Sequence, residues 1–261
     1  MNDENLKIQE QLKDLQTDGF AILKLTDVDL MIEQINDDVE KLVLNGSFRT
    51  NSKFYSYNDA PRIVESWKHS EAARWLAFQP QIVSLLTEYF KAVVKPFSTI
   101  NFLRSTQQPL HSDYVHFGTS PAFHLAAAWV ALEDINPLSG PIQVVPGSHL
   151  WPEFMYSEIG LPIARSLGDV SSFYRAYENW VQNDLKLKEV QVQTPEMKRG
   201  DAIIWLANLL HGSPVCQDPM LSRRSQVTHY HTDQVSLFYN PVFSDPLNNK
   251  FLKRKLEFIP S

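Results

Sequence analysis

With 261 residues, 43% of them hydrophobic, the chain has apolar mass for a sizeable core and fits one large domain, or one core domain with helical additions. A formal net charge of −6 argues against nucleic acid as a main partner. Cys216 is the single cysteine, which excludes an intramolecular disulfide and a cysteine metal cluster, and apolar runs such as Leu125 to Leu132 are too short to span a bilayer.

Met1 to Asn5 carries no basic region followed by an apolar one, so no secretory signal is predicted and a reducing cytoplasm is the expected setting. Leu6, Ile8, Leu12 and Leu15 recur among charges and predict an amphipathic helix over 4–17, ended at Asp18-Gly19. Phe20 to Leu25 reads as a strand. Thr26 or Asp27 is placed to cap a second helix, with Leu30, Ile32, Ile35, Val39 and Val43 inward and Asn45-Gly46 as its stop. The polar and aromatic stretch 47–60, with Phe54, Tyr55 and Tyr57, reads as a packed loop or a pocket wall. Pro61 opens another helical stretch, and Pro80 to Val94 reads as a helix with Ile82, Leu85, Leu86, Tyr89 and Phe90 on one side.

The pattern then changes. From about Phe97 short β-type runs alternate with turns, at 97–104, 110–117, 123–132, 142–145, 188–193, 201–206, 223–231 and 235–239. The expected fold is mainly β: a double-stranded β-helix, or jelly-roll, core over 96–240, buttressed by a mostly helical preface over 1–95. An aromatic-rich insertion over 151–198 interrupts the core, with Trp151, Phe154, Tyr156, Phe173, Tyr174, Tyr177 and Trp180. It reads either as a lid or as a helix packed on the sheet. The basic cluster Lys250 to Lys255 reads as a solvated C-terminal face.

Two stretches carry candidate chemistry. In Pro109-Leu110-His111-Ser112-Asp113, His111 and Asp113 share one face if the segment is extended, because strand side chains alternate. With His211 from Leu209-Leu210-His211-Gly212-Ser213 they supply two imidazoles and one carboxylate, the donor set of a facial triad for non-haem Fe(II). An H-x-D tripeptide alone is weak evidence. His231-Thr232-Asp233, preceded by His229, offers a rival set that suits zinc and a hydrolase.

The surroundings favour the first site. Gly140 to His149, the run Gly200 to Gly212, and the segment from Arg223 onward resemble the phytanoyl-CoA dioxygenase family of Fe(II)- and 2-oxoglutarate-dependent oxygenases. The likeness covers 97–150 and 198–231 well and the N-terminal helices loosely. It implies Fe(II) on His111, Asp113 and His211, with 2-oxoglutarate and O2 as cosubstrates. Arg223 matches the family's anchor for the distal carboxylate of 2-oxoglutarate, a task suited to a guanidinium fork. Arg224 is the alternative. Ser213 and Trp129 match further cosubstrate positions, and Gln108 matches a glutamine that faces the site. Their plainer readings are a turn serine, a core tryptophan and a surface glutamine. Pro146 to His149 reads as a turn shaping the barrel, with His149 not a ligand.

Relatives that halogenate replace the carboxylate ligand, and this chain keeps Asp113, so hydroxylation of a small organic substrate with release of succinate and CO2 is the implied reaction. Tyr114, His116, Phe117 and His124 are expected near a pocket for a polar or amphipathic molecule. A non-catalytic metal-containing jelly-roll binding module is the other alternative, and Arg223 counts against it. Oligomeric state is not legible.

Overall fold

The structure is a computed structural model that describes residues 3–46, 61–152, 154–161 and 163–260, so the loop or pocket wall expected over 47–60 lies outside the described residues. Its centre is β5 (Leu125–Ala131), a run of seven apolar residues buried along its whole length. Such a strand needs cover on both faces, and it has it. β5 sits inside an antiparallel six-stranded sheet with the order β1-β7-β5-β9-β3-β2, where β1 is Phe20–Lys24, β2 Arg62–Val64, β3 Val94–Phe102, β7 Asp201–Leu206 and β9 Ser225–Thr232.

Period-two alternation sorts the side chains of this sheet. Ala126, Ala128 and Val130 of β5, with Ala202, Ile204 and Leu206 of β7 and Tyr230 of β9, turn toward a helical layer. That layer consists of α1 (Asp3–Thr17), α2 (Asp29–Leu44), α3 (Glu71–Ala77) and α4 (Pro80–Phe90). Its apolar stripes, including Leu12 and Leu15, Ile32 and Ile35, Leu76, and Ile82 with Leu86, enter the same core. Buried polar groups on the helical face find backbone partners: Gln226 Nε2 donates to Ala73 O, and Tyr230 Oη to Ala77 O.

The alternate residues face the other way. Ala127, Trp129, Ala131, Ile203, Trp205 and Val227 form a second core with Ile142 and Val144. Val144 comes from a short ladder, β6 (Gln143–Val144) with β8 (His211–Gly212), and a second ladder pairs β4 (Gly118–Ser120) with β10 (Leu237–Tyr239), whose Phe238 packs with Phe97 and Leu125. This is the predicted jelly-roll core with helical buttress.

Several details differ from the sequence-based expectation. The preface is not only helical, because β1 and β2 complete the main sheet by pairing with β7 and β3. Pro61 does not open a helix; β2 follows it, since Arg62 to Val64 find open ladder positions along β3. α2 begins after Val28 with no side-chain cap, and Asp27 instead takes a positive φ of 58°. The strand expected over 110–117 is a bridge at His111 followed by a 3-10 turn at Asp113–Val115, and β4 starts only at Gly118. Over 188–193 only Gln193 pairs, in a bridge to Val144. The insertion carries α5 (Val170–Leu187), whose Phe173, Tyr174, Tyr177 and Val181 pack against Leu110, Val115 and Leu210. No helix among the described residues is long and apolar enough to cross a membrane.

Candidate active site

His111 and His211 are brought together by the backbone. Each donates its N–H to the other's carbonyl at 2.9 Å, and the imidazole centroids lie 4.5 Å apart. Both rings are oriented in the same way. Nδ1 of His111 lies 2.8 Å from Pro109 O, and Nδ1 of His211 lies 3.0 Å from Leu209 O. A carbonyl only accepts, so both Nδ1 atoms carry the proton and both Nε2 atoms keep a lone pair.

Asp113 opens the 3-10 turn immediately after, and its backbone N-terminal neighbour Ser112 is extended. Its Oδ2 accepts from Trp205 Nε1 at 2.8 Å. Its Oδ1 lies 3.6 Å from His211 Nε2 and 3.7 Å from His229 Nε2. One donor atom from each of His111, Asp113 and His211 lies within 4.8 Å of the others, and this is the group of metal-ligating type found among the described residues. All three residues are buried.

Electrostatics match that use. Burial pushes the His111 imidazole well below its ordinary pKa, with His211 and His116 adding to the effect. Burial lowers His211 as well, against the opposing pull of Asp113. Burial alone would raise the Asp113 carboxyl, but the imidazoles of His211, His229 and His111 outweigh it and hold the group below the usual carboxylate range. Neutral imidazoles beside an ionised carboxylate are the protonation states a divalent cation requires.

The trio forms the floor of a cavity of about 290 Å³ between the main sheet and the insertion. Gln108, Trp129, Ser213 and Arg223 line it. Gln108 Nε2 lies 2.9 Å from His111 Nε2, and Ser213 donates its backbone N–H to Gln108 O. Arg223 is 3% exposed, with its guanidinium 5.7 Å from the ring of Phe102 and 5.6 Å from that of Trp129. Its Nε and the indole Nε1 of Trp129 are buried without a hydrogen-bond partner. Two orphaned donors on one cavity wall are costly unless an acceptor arrives. Burial pushes Arg223 down to about 10, with Arg62 adding, a value that leaves it cationic at neutral pH. Arg224 points elsewhere and pairs with Glu40 and Glu133.

The rival cluster does not assemble. His229 faces the cavity beside Asp113, while His231 is buried among Phe97, Phe238 and Phe258 and Asp233 is exposed. The strand period does put both histidines on one face, but two residues of rise carry His231 past the cavity into an aromatic cluster. His149 contacts Gln16 O and abuts Gly19, away from the site. Of the four residues expected near the pocket, His116 and Phe117 line it; Tyr114 hydrogen-bonds Tyr239, and His124 hydrogen-bonds Thr232.

Four residues escaped the sequence reading. Trp205 orients Asp113, and Tyr177 of α5 accepts from the Ser112 N–H at 2.9 Å. Arg62 of β2 lines the cavity and donates to Gln108 Oε1 at 2.9 Å. Arg254 also lines it, with its guanidinium 4.4 Å from the ring of Phe117, so the basic C-terminal cluster is not wholly a solvated face. The carbonyl of His116 and the Phe117 ring draw Arg254 inward.

Comparison with known proteins follows the same lines. The profile of the family described as Phytanoyl-CoA dioxygenase (PhyH) matches residues 15–217. Peroxisomal phytanoyl-CoA dioxygenase of Bos taurus is 20% identical over 227 residues, covering 80% of this chain and 64% of that protein. Ectoine dioxygenase of Nocardia farcinica is 28% identical over 150 residues, covering 54% of this chain and 50% of that protein. The chain thus spans less than two thirds of the length of these relatives. Among solved structures, the non-heme alpha ketoglutarate dependent carbocyclase SnoK from nogalamycin biosynthesis superimposes with a TM-score of 0.68 at 16% identity, over 100% of this chain and 99% of that one. EctD from S. alaskensis with 2-oxoglutarate and 5-hydroxyectoine gives 0.64 at 18% identity, over 97% and 84% of the two chains. At these identities the structural likeness concerns the fold.

Proposed function

The chain belongs to the phytanoyl-CoA dioxygenase family, and from that premise we propose that it is a non-haem Fe(II)- and 2-oxoglutarate-dependent dioxygenase that hydroxylates a small organic substrate with release of succinate and CO2. The observation that carries this reading is the convergence of His111, Asp113 and His211 within 4.8 Å at the floor of a cavity whose wall holds the orphaned donors of Arg223 and Trp129. The solved EctD structure holds 2-oxoglutarate, and SnoK is described as alpha ketoglutarate dependent. In this reading one catalytic domain comprises the whole chain, since β1 and β2 complete the sheet that bears Trp205, Trp129 and His229.

His111, Asp113 and His211 would hold Fe(II), which together with 2-oxoglutarate supplies activation of O2 and oxidation of a C–H bond. The chain's own residues prepare that chemistry. Pro109 O and Leu209 O keep the two Nδ1 atoms protonated, so both Nε2 lone pairs face the centre. Trp205 fixes one oxygen of Asp113 and leaves the other directed inward. Arg223 would take the distal carboxylate of 2-oxoglutarate in two parallel hydrogen bonds, Ser213 would add a third contact, and the Trp129 indole N–H faces the same space. Gln108 Nε2, 2.9 Å from His111 Nε2, would have to turn away for that nitrogen to hold the metal. Phe102, Val227 and Trp129 on the sheet, with Val170 and Tyr174 of α5, exclude bulk water around the reacting centre.

The test is succinate release from 2-oxoglutarate by purified protein with added Fe(II). Turnover is expected in the wild type and abolished in Asp113→Ala, which removes a charged ligand; full turnover in that variant contradicts the assignment.

A further inference from the structure

The cavity has two walls of different origin. Arg223 and Trp129, the donors that would hold 2-oxoglutarate, sit on the main sheet beside Phe102. The wall toward the insertion holds Val170 and Tyr174 of α5, with Phe243 packed in the same cluster. Ring contacts lead from the proposed ligands into that second wall: the His116 imidazole lies 5.4 Å from that of His111 and 4.9 Å from the ring of Tyr174. Asn240, three residues before Phe243, also lines the cavity and is half-buried.

Asn240 is committed at every polar point but one. It caps the 3-10 turn Pro241–Phe243, with its Oδ1 accepting from the Val242 N–H at 3.0 Å. Its backbone N–H donates to Leu252 O at 3.1 Å, and its carbonyl accepts from the Phe243 N–H at 3.1 Å. The turn itself is clamped, because Val242 is 1% exposed and its carbonyl accepts from the Ala164 N–H of the insertion at 2.9 Å. An N–H meets only the oxygen end of an amide, so the Val242 contact fixes which way round the Asn240 side chain lies. The nitrogen end is left over with its two N–H groups, and none of the described residues accepts from it. Capping alone requires an acceptor, which serine, threonine or aspartate supplies equally well. Asparagine adds a pre-oriented donor on a cavity wall that is otherwise largely apolar.

We propose that Asn240 is a specificity-determining residue whose Nδ2 donates to a carbonyl oxygen of the substrate, while the substrate's apolar body lies against Phe243, Tyr174 and Val170. The proposal rests on the dioxygenase reading and names a substrate class for the same site. In the open cavity water satisfies Nδ2. A substrate that fills the cavity displaces that water and must return its hydrogen bond. A carbonyl oxygen does so; an isostere without a good acceptor leaves the donor unpaired and is rejected. A donor held by a clamped turn also fixes one end of the substrate, so that a defined C–H bond is presented to the centre.

The test is anaerobic calorimetric titration of the protein loaded with Fe(II) and 2-oxoglutarate, using ε-caprolactam and its thio analogue as probes. The two share one ring, and sulfur is the weaker acceptor. Caprolactam is expected to bind about five-fold tighter or more. Asn240→Asp keeps an acceptor for the Val242 N–H and removes both donors, so it should abolish that preference. Asn240→Ser, which also caps, should lower it without adding charge. A merely structural role for Asn240 would weaken both probes alike and leave their ratio unchanged. Equal binding of the two probes by the wild type, binding of neither, or a preference that both variants retain overturns the proposal. Titration of the wild type with 2-oxoglutarate alone, run beside it, tests the dioxygenase reading separately: cosubstrate binding without a caprolactam preference sinks only the role of Asn240.

Discussion

The indole N–H of Trp205 donates to Oδ2 of Asp113 across 2.8 Å, deep in the core, and so decides which carboxylate oxygen is left to face the imidazoles. Trp205 also places its ring 4.3 Å from that of His211. Two of the three proposed metal ligands are therefore positioned by one residue of β7. Trp205→Phe keeps most of the ring packing and removes the donor. Metal affinity, measured by competition with a chelator, is expected to fall about 10- to 100-fold, as for other residues that orient ligands. An unchanged affinity would show that the carboxylate is oriented by other means.

Tyr177 ties the insertion to the same site from the opposite side. Its hydroxyl accepts from the Ser112 N–H and donates to Ser112 Oγ at 3.2 Å, between the two proposed ligands His111 and Asp113. Tyr177→Phe leaves a buried N–H unsatisfied and is expected to cost about 1–3 kcal/mol of stability in denaturant unfolding. Metal affinity should fall with it, because the turn loses its anchor. A variant equally stable but unable to bind metal would contradict the packing half of this expectation.

The two adjacent arginines differ sharply. Arg223 is buried on the cavity wall, whereas Arg224 bridges Glu40 and Glu133 at the surface. Arg223→Ala is expected to weaken 2-oxoglutarate binding by about 30-fold or more, the usual effect of removing one partner of a buried charge pair. Arg224→Ala should change it little and alter stability by about 0–1 kcal/mol. Calorimetric titration of 2-oxoglutarate into each variant separates them.

Acid sensitivity follows from the buried imidazoles. His111, His116 and His211 all have pKa values lowered by burial, His116 to about 3. In the unfolded chain each returns to about 6.5. Below that pH the unfolded chain binds protons that the folded one refuses, so stability falls as pH drops, by up to about 1.4 kcal/mol per pH unit for each histidine. Asp113, held low when folded, contributes a constant amount across this window and loses it only at strongly acid pH. Denaturant unfolding of metal-free protein at pH 7.5 and 5.5 is expected to show a lower midpoint at pH 5.5. Equal midpoints would mean that these imidazoles are solvated.

Much of the site was legible because metal chemistry uses few residue types at constrained spacings. His111, Asp113 and His211 were readable from residue type, and Arg223, with Arg224 as its alternative, from the resemblance to the family; the structure gathers the three ligand candidates and Arg223 around one cavity. The residues that escaped act through geometry. Trp205 in a run of apolar residues looks like any core tryptophan, and only the fold reveals that its N–H meets Asp113. Arg62 lies on a three-residue strand after a proline, too short for a period to appear. Arg254 sits in a basic run that, taken alone, suggests solvent. The rival trio failed for a related reason: sequence proximity placed His229, His231 and Asp233 together, but the strand separates them along its length.

The most direct test of the central claim is anaerobic addition of Fe(II) and 2-oxoglutarate to purified metal-free protein, followed in the visible spectrum. A weak charge-transfer band is expected in the wild type and absent in Arg223→Ala at the same cosubstrate concentration. No band in the wild type, together with tight zinc binding that survives Asp113→Ala, would contradict the assignment of His111, Asp113 and His211 as an Fe(II) and 2-oxoglutarate centre.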